Sequence, residues 1–227
     1  SQLTKRIFSP SMPIPHRTYP LFLSFAIVIY CTGSSIKTKG MCSISMSDLI
    51  WLEGGTITSP KGFLAGATYS GIRSYTPDKL DLGIVYSAVP SNVAGTFTTN
   101  KIKSPSVVLD QERVSSGRAQ AIVINSGIAN TSVGNQGMKD AIEMAAIAGD
   151  KLGIDASLVL PSSTGLIGVE LPMALIRSGV QQIELSDNGG NALARAILTT
   201  DTKSKEAAIS FEVGDNTYTV GGIAKGS

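Results

Sequence analysis

The stretch AQAIVINSG (residues 119–127) decides the class of fold. It is a nearly continuous apolar run that ends on a polar, small-residue turn. A run of that length reads as a strand covered on both faces, whose end meets a loop. SLVLPSSTG (157–165) repeats the pattern in a shorter form. Between the two, NQGMKDAIEMAAIAGDKLG (135–153) places Met138, Ile142, Ala145, Ala146 and Leu152 near helical spacing, and Gly153 suits the position just past a helix end.

Working outward, ELPMALIRSGVQQIEL (170–185) reads as a helix with Pro172 in its first turn, and GGNALARAILTTDT (189–202) as a second helix ending near Thr199. KEAAISFEVGDNTYTVGGIA (205–224) is a hairpin, two alternating runs joined at GDN. Upstream, GGTITSPKGFLAGATYSGIR (54–73) reads as strand, turns and a further short strand, and LDLGIVYSAV (80–89) as a strand. VAGTFTTN (93–100) and SVVLDQERV (106–114) are further strand candidates. Strands mixed with packed helices imply an α/β sandwich, a single domain over residues 46–227.

Composition limits the chemistry. Residues 1–47 hold both cysteines (Cys31, Cys42) and the sole histidine (His16). From Asp48 onward there is neither Cys nor His, so a Cys/His zinc site, a Cys nucleophile, a disulfide framework and a Ser-His-Asp triad are all excluded from the body. Acyl or proton chemistry there must use Ser, Thr, Lys, Tyr, a carboxylate, a backbone group or a chain terminus. Residues 1–47 carry five Lys/Arg and no acid, and the remainder has 14 Lys/Arg against 17 acids. A mildly acidic body argues against a broad nucleic-acid surface.

YPLFLSFAIVIYC (19–31) is an apolar run too short to span a bilayer comfortably. Three readings stand for this region: the core of a targeting signal, with Gly33–Ser35 as a cleavage site; an extension ahead of a true start at Met41 or Met46; or a packed segment. Residues 1–45 are set outside the fold.

Three loops attract attention: NSGIAN (125–130) and SSTGLIG (162–168), each after a buried strand, and TTDT (199–202) after a helix. Each puts hydroxyl or amide groups beside glycine or in a turn. A Thr-Gly pair at a strand end can present a hydroxyl and a backbone N–H to a developing oxyanion, each preorganised donor worth about 2.7–4 kcal/mol. The plain alternative is that these are ordinary turns, which use the same residues. Lys225, in GGIAKGS (221–227), is either a solvated charge or an ammonium that fixes a substrate carboxylate; the glycines around it would let a ligand approach closely. The stretch is not a phosphate loop, because the G-x-x-x-x-G-K-[ST] order is absent. Asp201 has no evident partner in the sequence, and a cap or loop hydrogen bond suits it better than a role as base.

Taken together, SPKGFLAG, AGTFTTN, NSGIAN, SSTGLIG, LPM, AILTTDT and AKGS closely resemble the ornithine acetyltransferase family, the glutamate N-acetyltransferases of arginine biosynthesis. The resemblance covers about residues 53–227. Ile128, Thr131, Ser132 and Ala88 depart from that family's usual residues. The resemblance implies an α/β sandwich of the N-terminal-nucleophile kind, in a precursor that cuts itself before a threonine a few residues beyond a KGSG motif. Residues 46–227 would then be most of an α-chain, ending short of the scissile bond. The freed threonine uses its own α-amine as base, which fits a body without histidine.

By the same resemblance, Thr164 and Gly165 form the oxyanion hole, and Thr199 and Lys225 hold the substrate. The implied partners are N-acetylornithine, glutamate and the enzyme's own β-chain in an α2β2 assembly. No metal or cofactor is implied, although acetyl-CoA is a possible co-substrate. The expected location is the cytoplasm, with no membrane or nucleic-acid partner.

Overall fold

The computed structural model describes residues 25–31, 48–77 and 79–226. In chain order the elements are β1 (Phe25–Cys31), β2 (Ile50–Trp51), β3 (Phe63–Thr68), β4 (Leu82–Asn92), α1 (Pro105–Val114), β5 (Arg118–Ile128), α2 (Gly134–Leu152), β6 (Val159–Leu166), α3 (Met173–Gln182), α4 (Gly190–Ala196), β7 (Lys205–Val213) and β8 (Asn216–Lys225). They build two four-stranded sheets, ordered β1-β8-β7-β2 and β3-β4-β5-β6. β5 and β6 pair in parallel and the other pairs are antiparallel. A parallel pair needs a crossover, and α2 supplies it.

The continuous apolar run of β5 has the cause inferred from sequence: both faces of its sheet are covered. Ala121 and Val123 face α2 and α3, among Leu82, Ile84, Met144, Ala145, Ala148, Val159, Ile176 and Val180. Ile124 faces the other way, with Phe63, Ala65, Val85, Leu193, Ala194, Ile197 and, from the second sheet, Ile223. The order of layers is therefore α2/α3, the β3–β6 sheet, α4, then the β7–β8 sheet. Val123, Ile124, Met144, Ile176 and Ile223 are at most 2% exposed, each contributing roughly 1.5–3 kcal/mol of burial. α2 stops where Gly153 takes a left-handed conformation (φ 66°) and its N–H and that of Ile154 close onto Asp150 and Gly149 carbonyls.

Several expectations are corrected. Residues 106–114 are not a strand but lie in α1. Ser104 caps it by accepting the Val107 N–H at 3.3 Å, and Pro105 occupies the first turn. The cap and proline outweigh the β-branched pair Val107 and Val108. Residues 93–100 form no strand; β4 instead runs on to Asn92 through an irregularity between Tyr86 and Ser91. The helix expected to end near Thr199 stops at Ala196, because the TTDT turn takes its own hydrogen bonds. β1 lies inside the segment set outside the fold; it pairs with β8 from Phe25↔Lys225 to Cys31↔Thr219 and covers the backbone groups of that edge. The targeting-signal cleavage site and the starts at Met41 and Met46 lie outside the described residues. Among the described residues no helix is long and apolar enough to cross a membrane.

Candidate functional site

The first part of the site is made of backbone. The parallel register sets Ser126 beside Thr164 and Gly127 beside Gly165, so NSG and STG end together. Gly165 has φ +136°, and a Cβ there would lie 2.2 Å from the Gly127 carbonyl carbon. Gly127 has φ +111°, and a Cβ there would lie 2.7 Å from the Cα of Arg73. Three segments of backbone, two strand ends and the Arg73 loop, thus pack with no room for a side chain, which is why glycine stands at both positions. The Ala129 N–H donates to the Leu166 carbonyl and the Gly168 N–H to that of Thr131, both at 2.8 Å, tying the two loops beyond the strand ends. Thr164 is 7% exposed.

Arg73 connects this part to the next. Its loop is moulded by the fully buried Asp81, whose carboxylate accepts the N–H groups of Ser70 (2.7 Å), Ile72 (2.7 Å) and Arg73 (3.0 Å). So held, Arg73 extends its guanidinium Nη2 to the Thr199 carbonyl at 2.7 Å. The Ser126 hydroxyl makes a parallel tie, donating to the Ala196 carbonyl at 2.6 Å. These bonds carry the TTDT turn to the end of the β5–β6 pair.

The second part is made of charge. Asp201 Oδ2 accepts Lys225 Nζ at 3.0 Å and the Thr199 N–H at 3.3 Å, while Oδ1 accepts the Gly226 N–H at 2.9 Å. Lys205 Nζ stands 3.6 Å from Oδ1 and also donates to the Gly226 carbonyl. The Asp201 side chain is 1% exposed and that of Lys225 6%. Burial alone would raise the Asp201 carboxyl, but the hydrogen bonds from Lys225, Thr199 and Gly226 and the Lys225 charge outweigh it and hold the group well below the usual carboxylate range. Lys225 and Lys205 together exceed the one carboxylate, so the local balance is positive, with Arg73 adding to it across Thr199.

The structure therefore links Thr164 and Gly165 to Thr199 and Lys225 through the contact chain Gly165–Gly127–Arg73–Thr199–Asp201–Lys225. Lys225 is not a solvated tail charge; it is buried and ion-paired. Asp201 does make loop hydrogen bonds, but its principal partner lies 24 residues away, out of reach of local inspection. Sequence reasoning missed Arg73, Asp81 and Lys205. Arg73 did leave a signal: it is the only Lys or Arg between Lys61 and Lys79 and it follows a glycine-containing turn. Among the described residues there is no group of three or more His, Cys, Asp or Glu able to hold a metal ion.

Comparison with known proteins gives a consistent result. The ArgJ family matches residues 64–227. An arginine biosynthesis bifunctional protein ArgJ of Symbiobacterium thermophilum is 45% identical over 179 residues, 78% of this chain and 44% of the relative. One from Dehalococcoides mccartyi is 44% identical over 176 residues, again 78% and 44%. The chain thus spans somewhat less than half the length of these curated relatives. The crystal structure of an ArgJ protein from Bacillus halodurans superposes with a TM-score of 0.75 at 38% identity, covering 79% of this chain and 94% of that one. Ornithine acetyltransferase of Mycobacterium tuberculosis, solved in complex with ornithine, gives 0.73 at 35% identity, covering 79% and 95%.

Proposed function

The chain belongs to the ArgJ family, and on that premise we propose that the full-length protein carries acetyl from N-acetylornithine to glutamate through an acyl-enzyme. The nucleophile is a threonine beyond residue 227, freed by self-cleavage of the precursor. Its hydroxyl attacks the acetyl carbonyl while its α-amine, with a pKa of roughly 7.7–8.0, takes the hydroxyl proton. The tetrahedral oxyanion is met by the Thr164 hydroxyl and the Gly165 N–H. Collapse breaks the amide bond, and ornithine leaves with the proton. The α-amine of glutamate then attacks the acetyl ester, N-acetylglutamate departs, and the threonine hydroxyl is restored.

The observation that carries this reading is the convergence of the Thr164–Gly165 strand end with Thr199 and Lys225 through Arg73. An oxyanion site and a positive carboxylate site then lie on one continuous set of contacts, as transfer between two amino acids requires. Lys225 has three ammonium protons, of which one is directed at Asp201; the other two meet no acceptor among the described residues and are offered to a substrate carboxylate. Acetyl-CoA is a further acetyl donor in the bifunctional form of the activity. The two chains left by cleavage assemble as α2β2.

The test is to incubate the full-length protein with N-acetylornithine carrying a labelled acetyl group, plus glutamate. Label appearing in N-acetylglutamate with equimolar ornithine supports the proposal. Label appearing as acetate, independent of glutamate, would instead make the protein an N-terminal-nucleophile hydrolase. Adding acetyl-CoA without N-acetylornithine decides the second donor, and mass spectrometry of the purified chains decides cleavage.

A further inference from the structure

We propose that Asp201 is the positioning residue of the site: its two carboxylate oxygens aim the Lys225 ammonium and pin the Gly226 peptide in one act. Oδ2 takes Lys225 Nζ at 3.0 Å, and Oδ1 takes the N–H of the very next residue at 2.9 Å. The side chain is 1% exposed, so these bonds are barely shared with water. Gly226 is gripped from its other side as well, since Lys205 donates to its carbonyl. Gly226 has φ +141°, a conformation few other residues adopt, and the flanking bonds hold it there.

The third bond of Asp201, from the Thr199 N–H, closes the turn that receives Arg73 on its carbonyl. One carboxylate thereby joins both substrate-holding residues, Thr199 and Lys225, to a single point. Asp201 is not placed to touch the reacting atoms. It acts through Lys225, whose Nζ would otherwise sweep the several ångströms open to a four-carbon side chain. A displacement of about 1 Å at such a group is enough to cost orders of magnitude in a site that depends on orientation.

This inference rests on the acetyl-transfer reading for its kinetic arm only. Full-length protein is made as the parent, as Asp201→Asn, as Lys225→Met and as the double variant. Asparagine keeps an acceptor for the Gly226 N–H but removes the charge that aims Lys225. Asp201→Asn should raise KM for both amino-acid substrates by about 10-fold with a smaller change in kcat. In the Lys225→Met background it should change KM by less than about 2-fold, because a residue that acts only through Lys225 has nothing left to aim. The same factor in both backgrounds overturns the proposal.

A parent that transfers no acetyl counts against the proposed function, not against Asp201. The crystal structure of Asp201→Asn then decides: displacement of Lys225 Nζ supports the inference, and Nζ within about 1 Å of its parental place overturns it. If Asp201→Asn does not fold, the double variant is the arbiter, since it leaves no buried lysine unpaired; Lys205, the other cation beside Asp201, is half-exposed and can be solvated. A folded double variant supports the pairing as the function of Asp201. An unfolded one assigns Asp201 to the fold alone and overturns it.

Discussion

At the β5–β6 end of the site the contacts are backbone on backbone; at the β8 end they run through a buried ion pair. Gly165, Gly127 and Arg73 are stacked so closely that a single methyl group has no place. Lys225, Lys205, Thr199 and Gly226 are gathered instead around one carboxylate. The first end is fixed by backbone hydrogen bonds and by close packing, both short-ranged and indifferent to pH and salt. The second is fixed by attraction, which depends on the charge state of Asp201. A site that must stabilise a fleeting oxyanion gains from rigid donors. On the proposed function, the other end takes up two successive carboxylate substrates and gains from a charge that can be approached and left.

The largest effect is expected where the packing is closest. Gly165→Ala would push a Cβ to 2.2 Å from the Gly127 carbonyl carbon at a φ of +136°. Neither backbone can yield without unpairing β5 from β6. A loss of at least ~3 kcal/mol is expected in urea denaturation. Gly168→Ala is the control: its φ is +81° but nothing lies within 4 Å, so only the conformational cost of about 1–2 kcal/mol applies. Equal losses for the two variants would show that crowding is not what holds the first end. Next in size, Thr164→Ala should lower kcat by about 10²–10³ while the melting temperature hardly moves. An unaffected rate removes Thr164 from the oxyanion hole.

At the charged end the expected effect is smaller and falls on binding. Lys225→Met should raise KM for both amino-acid substrates about 10-fold, equivalent to about 1.4 kcal/mol. Because the pair is almost wholly buried, the KM of the parent should respond weakly to added salt. A steep salt dependence would make the attraction at this end a surface effect, and the contrast between the two ends would fail.

The first end was far more legible in the sequence than the second, and the reason is physical. A buried strand writes its apolar run into consecutive residues, and its terminal glycine sits in the same stretch, so NSG and SSTG announce both the element and the close approach. The hairpin of β7 and β8 was equally plain from its alternation and its GDN turn. What failed was whatever depended on a partner distant in sequence. Asp201 has no neighbour that explains it until the hairpin folds Lys225 back onto it. Arg73 stands out as a lone cation after a glycine turn, but its partner Thr199 is 126 residues away and its loop takes shape only around Asp81. α1 failed for a different reason: two adjacent valines drew attention away from Ser104 and Pro105, which were the better signal. The backbone of β1 belongs to the same class of failure as Asp201, since nothing in residues 25–31 names β8 as its partner.

A second carboxylate sharpens the contrast and gives the smallest expected effect. Asp110 on α1 is also turned inward, but its Oδ1 meets no donor among the described residues, and the nearby Arg113 donates to the Val159 carbonyl. Burial pushes Asp110 up to about 8, with the Arg113 charge acting only partly against it. Asp201 and Asp110 thus move in opposite directions, because donors outweigh burial at the first and burial outweighs the Arg113 charge at the second. The sign of the consequence follows. The unfolded chain releases the Asp110 proton near pH 3.9 whereas the folded chain keeps it to about 8, so folded protein loses stability as pH rises through that window. Asp110→Asn removes the titration and should stabilise the protein by on the order of 1–2 kcal/mol at pH 8, with less gain at pH 5. Asp201 has the reverse slope, its contribution being complete above the unfolded value of about 3.9 and lost only as pH falls below it. Urea midpoints of parent and Asp110→Asn at the two pH values decide the matter. Curves that stay parallel between pH 5 and 8 would mean that Asp110 finds a partner in solution, and that the two inward-turned carboxylates differ less than their surroundings imply.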